Sequence, residues 1–203
     1  PPDRDPADLI AISAHKFHGP VGVGALLVRS DVKLAPLMFG GGQQAGSRPG
    51  TPAVALAVGM AVALRRWDEQ AQERIARWTK LRDRLEAALI EGLGRSSVVR
   101  TGPEDAALRL PQTLHVGFPG IDGDALLMQL DLAGVAAALG SACASGSLQP
   151  SASLLAMAVP ADRLRSSVRF SLGAQSSESE VDEAARRIVE VVRRIRDSAS
   201  LEP

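Results

Sequence analysis

The sequence predicts an α/β chain whose second half is an α+β domain, joined by a long helix to part of something larger. Three features carry that prediction. Short apolar runs lie between glycine-rich turns near the start, a long helical pattern fills the middle, and short strands alternate with helices after it. The boundaries fall at residues 1–67, 68–95 and 96–203.

Asp8 to Ser13 is a short apolar run ending in polar residues, as a buried strand does. The turn Ala14-His15-Lys16-Phe17-His18-Gly19-Pro20-Val21-Gly22 follows, and Val23 to Arg29 reads as a second strand. Gly40 to Gly50 is a loop whose glycines let backbone approach a ligand closely. Thr51 suits a helix N-cap and Pro52 the first helical position, and helical character extends to about Glu91. Two pieces are expected, joined near Trp67-Asp68. The second carries Ile75, Trp78, Leu81, Leu85, Ala88 and Leu89 on one face, and Gly92 and Gly94 stop it. Beyond it, strands are expected near 97–100, 112–118, 134–139 and 167–172, with a helix over 123–133. The last helix, about Glu178 to Asp197, places Val181, Ala184, Ala185, Ile188, Val189, Val192 and Ile195 on one face. The arginines of both long helices read as solvated faces with acids between them.

Composition removes several classes of function. The 203 residues carry 23 basic and 23 acidic side chains, whereas a nucleic-acid footprint needs a surplus of Lys and Arg on one face. One cysteine excludes an intramolecular disulfide and an all-cysteine metal site, and three scattered histidines add no metal-ligand spacing. The longest apolar run, Pro52 to Leu64, has 13 residues, short of the roughly 20 that a membrane helix needs. The opening Pro1-Pro2-Asp3-Arg4-Asp5-Pro6 has no signal-peptide core and no initiator Met. The expectation is a fragment of a longer cytoplasmic protein without a membrane span.

Three side chains are candidates for chemistry. Lys16 is one of only 3 lysines against 20 arginines, and it stands in a tight, histidine-flanked turn. A lysine so placed can form a Schiff base with a carbonyl cofactor, with Ser13 and His15 available to phosphate oxygens. Cys143 sits among Gly, Ser and Ala between Gly140 and Gly146, a setting for an accessible thiol rather than a core one. Arg169 alternates with Val168 and Phe170 in a strand, from which it can hold a carboxylate bidentately. His18 and His115 read as local hydrogen-bonding residues.

Together, Ser13-Ala14-His15-Lys16-Phe17-His18-Gly19-Pro20-Val21-Gly22-Val23-Gly24 and the run to Arg29 resemble the lysine segment of cysteine desulfurases of the NifS/IscS-like branch. Those are class V, fold-type I pyridoxal-phosphate enzymes. Gly40-Gly41-Gly42-Gln43-Gln44-Ala45-Gly46-Ser47-Arg48-Pro49-Gly50-Thr51 is similar to the family's next signature. Gly140-Ser141-Ala142-Cys143-Ala144-Ser145-Gly146 resembles its active-cysteine loop, and Ser167-Val168-Arg169-Phe170-Ser171-Leu172-Gly173 the segment that closes the site. The motifs occur in the family's order and span essentially the whole chain.

The resemblance implies a fold-type I chain comprising the end of the large cofactor-binding domain, a connecting helix and the complete small α+β domain. It implies that pyridoxal 5′-phosphate is held covalently on Lys16, which also moves the substrate α-proton. Ser13 and His15 would bind the cofactor phosphate, with Ala14 between them where a glycine is common. Thr51 would reach the phosphate in the neighbouring subunit of a homodimer. Arg169 would clamp the carboxylate of L-cysteine, and Cys143 would take the sulfur as a persulfide, releasing alanine. A sulfur acceptor or iron–sulfur scaffold protein would then receive it.

The family chain is about twice as long. Its front half supplies the group stacked on the pyridine ring, the acid paired with the ring nitrogen and further phosphate donors. Asp8 already lies past them, so the 203-residue chain by itself is expected to be inactive. Gln44 and Ala53 stand where a glutamate and an asparagine are frequent. A class V aminotransferase, a selenocysteine lyase and a non-catalytic remnant are the competing readings. The cysteine loop favours sulfur transfer over transamination, which has no use for a thiol.

Overall fold

The computed structural model describes residues 7–139 and 151–199. By internal packing the chain divides into two units, residues 1–72 and 73–203.

In the first unit, β1 (Leu9–Ser13) pairs antiparallel with β2 (Gly24–Val28), Leu9 opposite Val28 and Ser13 opposite Gly24. The ladder continues past both ends. The Ala14 N–H donates to the Val23 carbonyl at 3.1 Å and the Arg29 N–H to the Asp8 carbonyl at 3.0 Å. An Arg29–Asp8 ion pair at 2.7 Å closes the open end.

Helix α1 (Val54–Leu93) begins in the first unit and ends in the second. Its 40 residues are one continuous helix, so the expected joint near Trp67-Asp68 does not form. The reason is chemical: between Gly59 and Gly92 the sequence holds neither Gly nor Pro, and nothing interrupts the helical ladder. The start also differs. The Pro52 carbonyl accepts from Val54 N–H at 2.9 Å, a tight turn ahead of the helix. Ala53, whose carbonyl accepts from Ala57 N–H at 3.0 Å, therefore stands where Thr51 is expected as the cap.

The second unit is built on a three-stranded antiparallel sheet ordered β3 (Val99–Arg100), β4 (Thr113–Gly117), β5 (Ser167–Ser171). A 3-10 turn over Arg95–Ser97 takes up the first part of the strand expected from 97. α2 (Gly123–Leu132) follows β4, with the Asp122 carboxylate accepting from Ala125 N–H at 2.9 Å as its N-cap. Two short helices that the sequence does not announce, α3 (Ala152–Ala156) and α4 (Ala161–Leu164), precede β5. α5 (Glu178–Ala199) follows it.

One face of the sheet is apolar: Leu114, Val116, Val168 and Phe170 are all buried. Leu81, Leu85 and Leu89 of α1, Leu126 and Leu130 of α2, and Val181, Ile188 and Val192 of α5 complete this core. Residues 73–93 of α1 therefore contribute to the second unit's interior as well as connecting. α1 and α5 meet closely, since a Cβ on Gly92 would lie 2.6 Å from Val189 Cγ2. Ion pairs Lys80–Glu178 at 2.6 Å and Arg84–Asp182 at 2.5 Å flank that seam. One helix arginine departs from the expected solvated face. Arg82 is 1% exposed, donating to the Leu110 carbonyl at 3.2 Å and pairing with Asp83 at 2.8 Å.

Residues 134–139 do not form the expected strand. Gly134 and Val135 instead donate to the Asp131 and Leu130 carbonyls, both at 2.8 Å, closing the end of α2. Only Ala138 reaches the sheet, as an isolated bridge to Arg169.

Candidate active site

In the first unit the chain leaves β1 at Ser13 and enters a 3-10 turn over Ala14–Phe17. The turn is rigid for local reasons. Ala14 is fully buried, and its carbonyl accepts from Gly19 N–H at 2.8 Å. A Cβ on Gly19 would lie 2.9 Å from the Ala14 Cβ, so both positions demand small residues. His18 takes up the left-handed conformation at φ 66° to end the turn. Ser13 is half-buried at the strand end, while His15 and Lys16 project from the turn and are exposed. Among the described residues Lys16 has no carboxylate partner.

Thr51, also exposed, ends a loop with unusual backbone: Gln44 and Ala45 stand at φ 53° and 54°, a conformation costly for residues with a Cβ. Gln43 Oε1 accepts from Gly50 N–H at 3.3 Å, tying the two ends of that loop together.

In the second unit Arg169 occupies the middle of β5 with both backbone edges engaged. Arg169 N–H donates to the Ala138 carbonyl at 2.7 Å, and Ala138 N–H to the Arg169 carbonyl at 3.1 Å. On the opposite edge Arg169 is the register partner of His115 in β4. Because Val168 and Phe170 face the core, Arg169 points to the other side of the sheet, half-buried. Its Nε is enclosed and makes no hydrogen bond, and among the described residues no carboxylate pairs with its guanidinium.

The turn beyond β5 is fastened to α1. Trp78 Nε1 donates to the Gly173 carbonyl at 2.9 Å, and the Arg77 guanidinium donates to the carbonyls of Ala174 and Ser176. Cys143, with the whole stretch 140–150, lies outside the described residues.

His115 departs from its reading as a local hydrogen-bonding residue. Its Nδ1 is enclosed without a partner. Burial first, and the Arg169 charge second, hold the imidazole below its usual pKa range. Nothing in sequence spacing pairs His115 with Arg169, because strand pairing is non-local. The usable signal is the alternation that puts each between two core-facing apolar residues.

Comparison with known proteins adds to this geometry. The aminotransferase class-V family model matches residues 4–184. An IscS-like cysteine desulfurase of Mycobacterium tuberculosis is 45% identical over 190 residues, covering 94% of this chain and 48% of that protein. A cysteine desulfurase of Bradyrhizobium diazoefficiens is 42% identical over 192 residues, covering 95% of this chain and 48% of the relative. A solved NifS-like protein superposes with a TM-score of 0.78 at 33% identity, over 93% of this chain and 47% of that one. The chain thus spans about half the length of the curated relatives it matches. Its fold is that of the fold-type I enzymes to which these structures belong.

Proposed function

We propose, since the chain belongs to the aminotransferase class-V family, that it is part of a cysteine desulfurase. In this reading sulfur is removed from L-cysteine, leaving L-alanine and a persulfide on Cys143. The observation that carries the reading is Arg169: a half-buried guanidinium with no acid paired to it among the described residues, held in a strand by hydrogen bonds to Ala138 and available to a substrate carboxylate.

The residues of the first unit fit pyridoxal 5′-phosphate. A primary amine stands on a fixed turn without an internal carboxylate to occupy it, directly after a strand-end hydroxyl and an exposed imidazole. Lys16 would hold the cofactor, and Ser13, Ala14 and His15 would form the segment around its phosphate. Thr51 would serve the phosphate of a second subunit, making the protein a homodimer. When bound, the cofactor supplies an electron sink for negative charge at the substrate α-carbon.

The chain's own residues do the rest. Arg169 orients the substrate through its carboxylate. Lys16 Nζ takes the proton from the substrate α-carbon. The Cys143 thiolate attacks the substrate sulfur: a sulfur–sulfur bond forms, the carbon–sulfur bond breaks, and its electron pair stays with the carbon skeleton, which is protonated to alanine. Residues 1–67 close a larger cofactor domain in this scheme and residues 96–203 are the small domain. The persulfide passes to an acceptor or iron–sulfur scaffold protein in the cytoplasm. Among the described residues no helix is long and apolar enough to cross a membrane.

The test is alanine formation from L-cysteine by the chain supplied with pyridoxal phosphate and with the upstream half of a relative. Alanine that is lost in both Lys16→Ala and Cys143→Ala supports the reading. Alanine unaffected by Cys143→Ala, or none at all in the supplemented wild type, refutes it.

A further inference from the structure

We propose that His115 is a positioning residue for Arg169, an imidazole set beside the guanidinium so that its pairing capacity is kept for the carboxylate of the amino-acid substrate. The proposal rests on the reading of Arg169 as the carboxylate-binding residue.

Four residues lie in one row across the second unit. Thr101 N–H donates to the His115 carbonyl at 2.9 Å, His115 is the register partner of Arg169, and Arg169 is bridged to Ala138. Directly opposed residues of an antiparallel pair bring their Cβ atoms to roughly 4.5–5.5 Å on the same face. His115 and Arg169 therefore share the side away from the core, where Leu114, Val116, Val168 and Phe170 are buried. The neighbouring positions on that face are Thr113 and Ser171 on one side and Gly117 and Ser167 on the other. None of these is an acid.

The choice of side chain at 115 decides what Arg169 can bind. A carboxylate there would form a charge-assisted pair with the guanidinium and occupy the donors a substrate needs. A lysine would repel it. Neutral imidazole does neither, and it fills the face without claiming the charge. The enclosed, unpartnered Nδ1 of His115 and Nε of Arg169 agree with a pair that is not consumed internally.

Among the described residues the charge that acts on this imidazole is that of Arg169. Arg169 lies across on β5. Arg100 is the register partner of Val116 and so belongs to the core face, paired there with Glu86, while Arg109, also drawn towards Glu86, lines with His115 the cavity between β4 and the segment before it. Of Arg163 in α4, the Cβ and the carbonyl lie over Gly117 and Ser167 at the end of the sheet. The imidazole therefore stays neutral at neutral pH. A carboxylate bound at Arg169 offsets that charge, so it raises the His115 pKa. By reciprocity the carboxylate binds more tightly as pH falls through the His115 titration.

The experiment is a nuclear magnetic resonance titration of the full 203-residue chain with L-alanine. It follows the Arg169 Nε–H and His115 ring signals across pH, in wild type, His115→Asn and His115→Asp. Asn and Asp have the same shape, so a merely structural role at 115 would affect both alike. The expected result is binding in His115→Asn close to wild type but without the pH dependence, and binding weakened about tenfold or more in His115→Asp. In wild type, L-alanine should raise the midpoint of the His115 titration, a readout that needs no variant. Equal affinity in Asn and Asp variants with an unmoved His115 midpoint overturns the proposal and leaves the Arg169 reading standing. No response at Arg169 in wild type or His115→Asn overturns that reading, and the proposal with it.

Discussion

β2 and β5 are strands of equal length with opposite fates. All five residues of β2 are exposed, Leu26 and Leu27 at 51% and 50%, whereas Val168 and Phe170 of β5 are at 0% and 5%. The first unit has few buried anchors, chiefly Ala14 and Met60, and it leaves Leu37, Phe39, Val54 and Val58 open. The second unit closes its sheet with three helices. Cooperative stability in this chain therefore resides in residues 73–203, while the lysine turn keeps its shape through local contacts: a buried alanine, a glycine packed on it and the backbone hydrogen bonds made by and to Ala14.

The most forceful way to break that contrast is truncation of matched leucines. Leu89→Ala, at a fully buried site of α1, should cost about 2–5 kcal/mol in chemical denaturation. Leu27→Ala in β2 should stay within about 0.5 kcal/mol. Equal losses would mean that the hairpin unfolds together with the second unit's core.

A smaller effect is expected at the α1–α5 seam. The Cβ of Gly92→Ala would meet the stiff Val189 side chain at 2.6 Å. The substitution should destabilise by about 1–3 kcal/mol. In a Val189→Ala background the same change should become neutral or stabilising, because alanine is the better helix former. A double-mutant cycle by thermal denaturation checks this, and additivity would show that the helices do not touch there.

Acid titration of the α5 surface should give the smallest change. Hydrogen bonds from Arg186 first and Arg187 second hold the Glu183 carboxyl down at about 2, from an ordinary 4.5. The folded value lies below the unfolded one, so the stabilisation is present above about pH 4.5 and fades as pH falls towards 2. The group is fully exposed and solvent screens it. Glu183→Gln should therefore lower stability slightly at neutral pH, with the difference from wild type shrinking as pH falls from about 4.5 towards 2; a difference that persists unchanged at the acid end would contradict the assignment.

The same contrast governs what could be read from sequence. α5 was legible because Val181, Ala185, Ile188 and Val192 repeat at helical spacing against one continuous core. The lysine turn was legible because its determinants, Ala14 to Gly19, are adjacent in the chain. The continuity of α1 through Trp67-Asp68 is not legible in the apolar pattern of the two pieces expected there. The absence of Gly and Pro was the better guide. Residues 134–139 form a short apolar run with one β-branched residue, Val135, and the end of α2 takes their first backbone groups. The neighbourhood of Arg169 is assembled from β4, β5 and Ala138, which local pattern cannot bring together.

The central claim is that Cys143 receives sulfur from L-cysteine. The most direct measurement is mass spectrometry of the peptide containing Cys143 after the supplemented chain has reacted with sulfur-labelled L-cysteine. The account expects one labelled sulfur atom on Cys143, equimolar with the alanine formed and absent from Lys16→Ala. Alanine accumulating while Cys143 stays unmodified, or label carried equally by the Lys16→Ala protein, would contradict it.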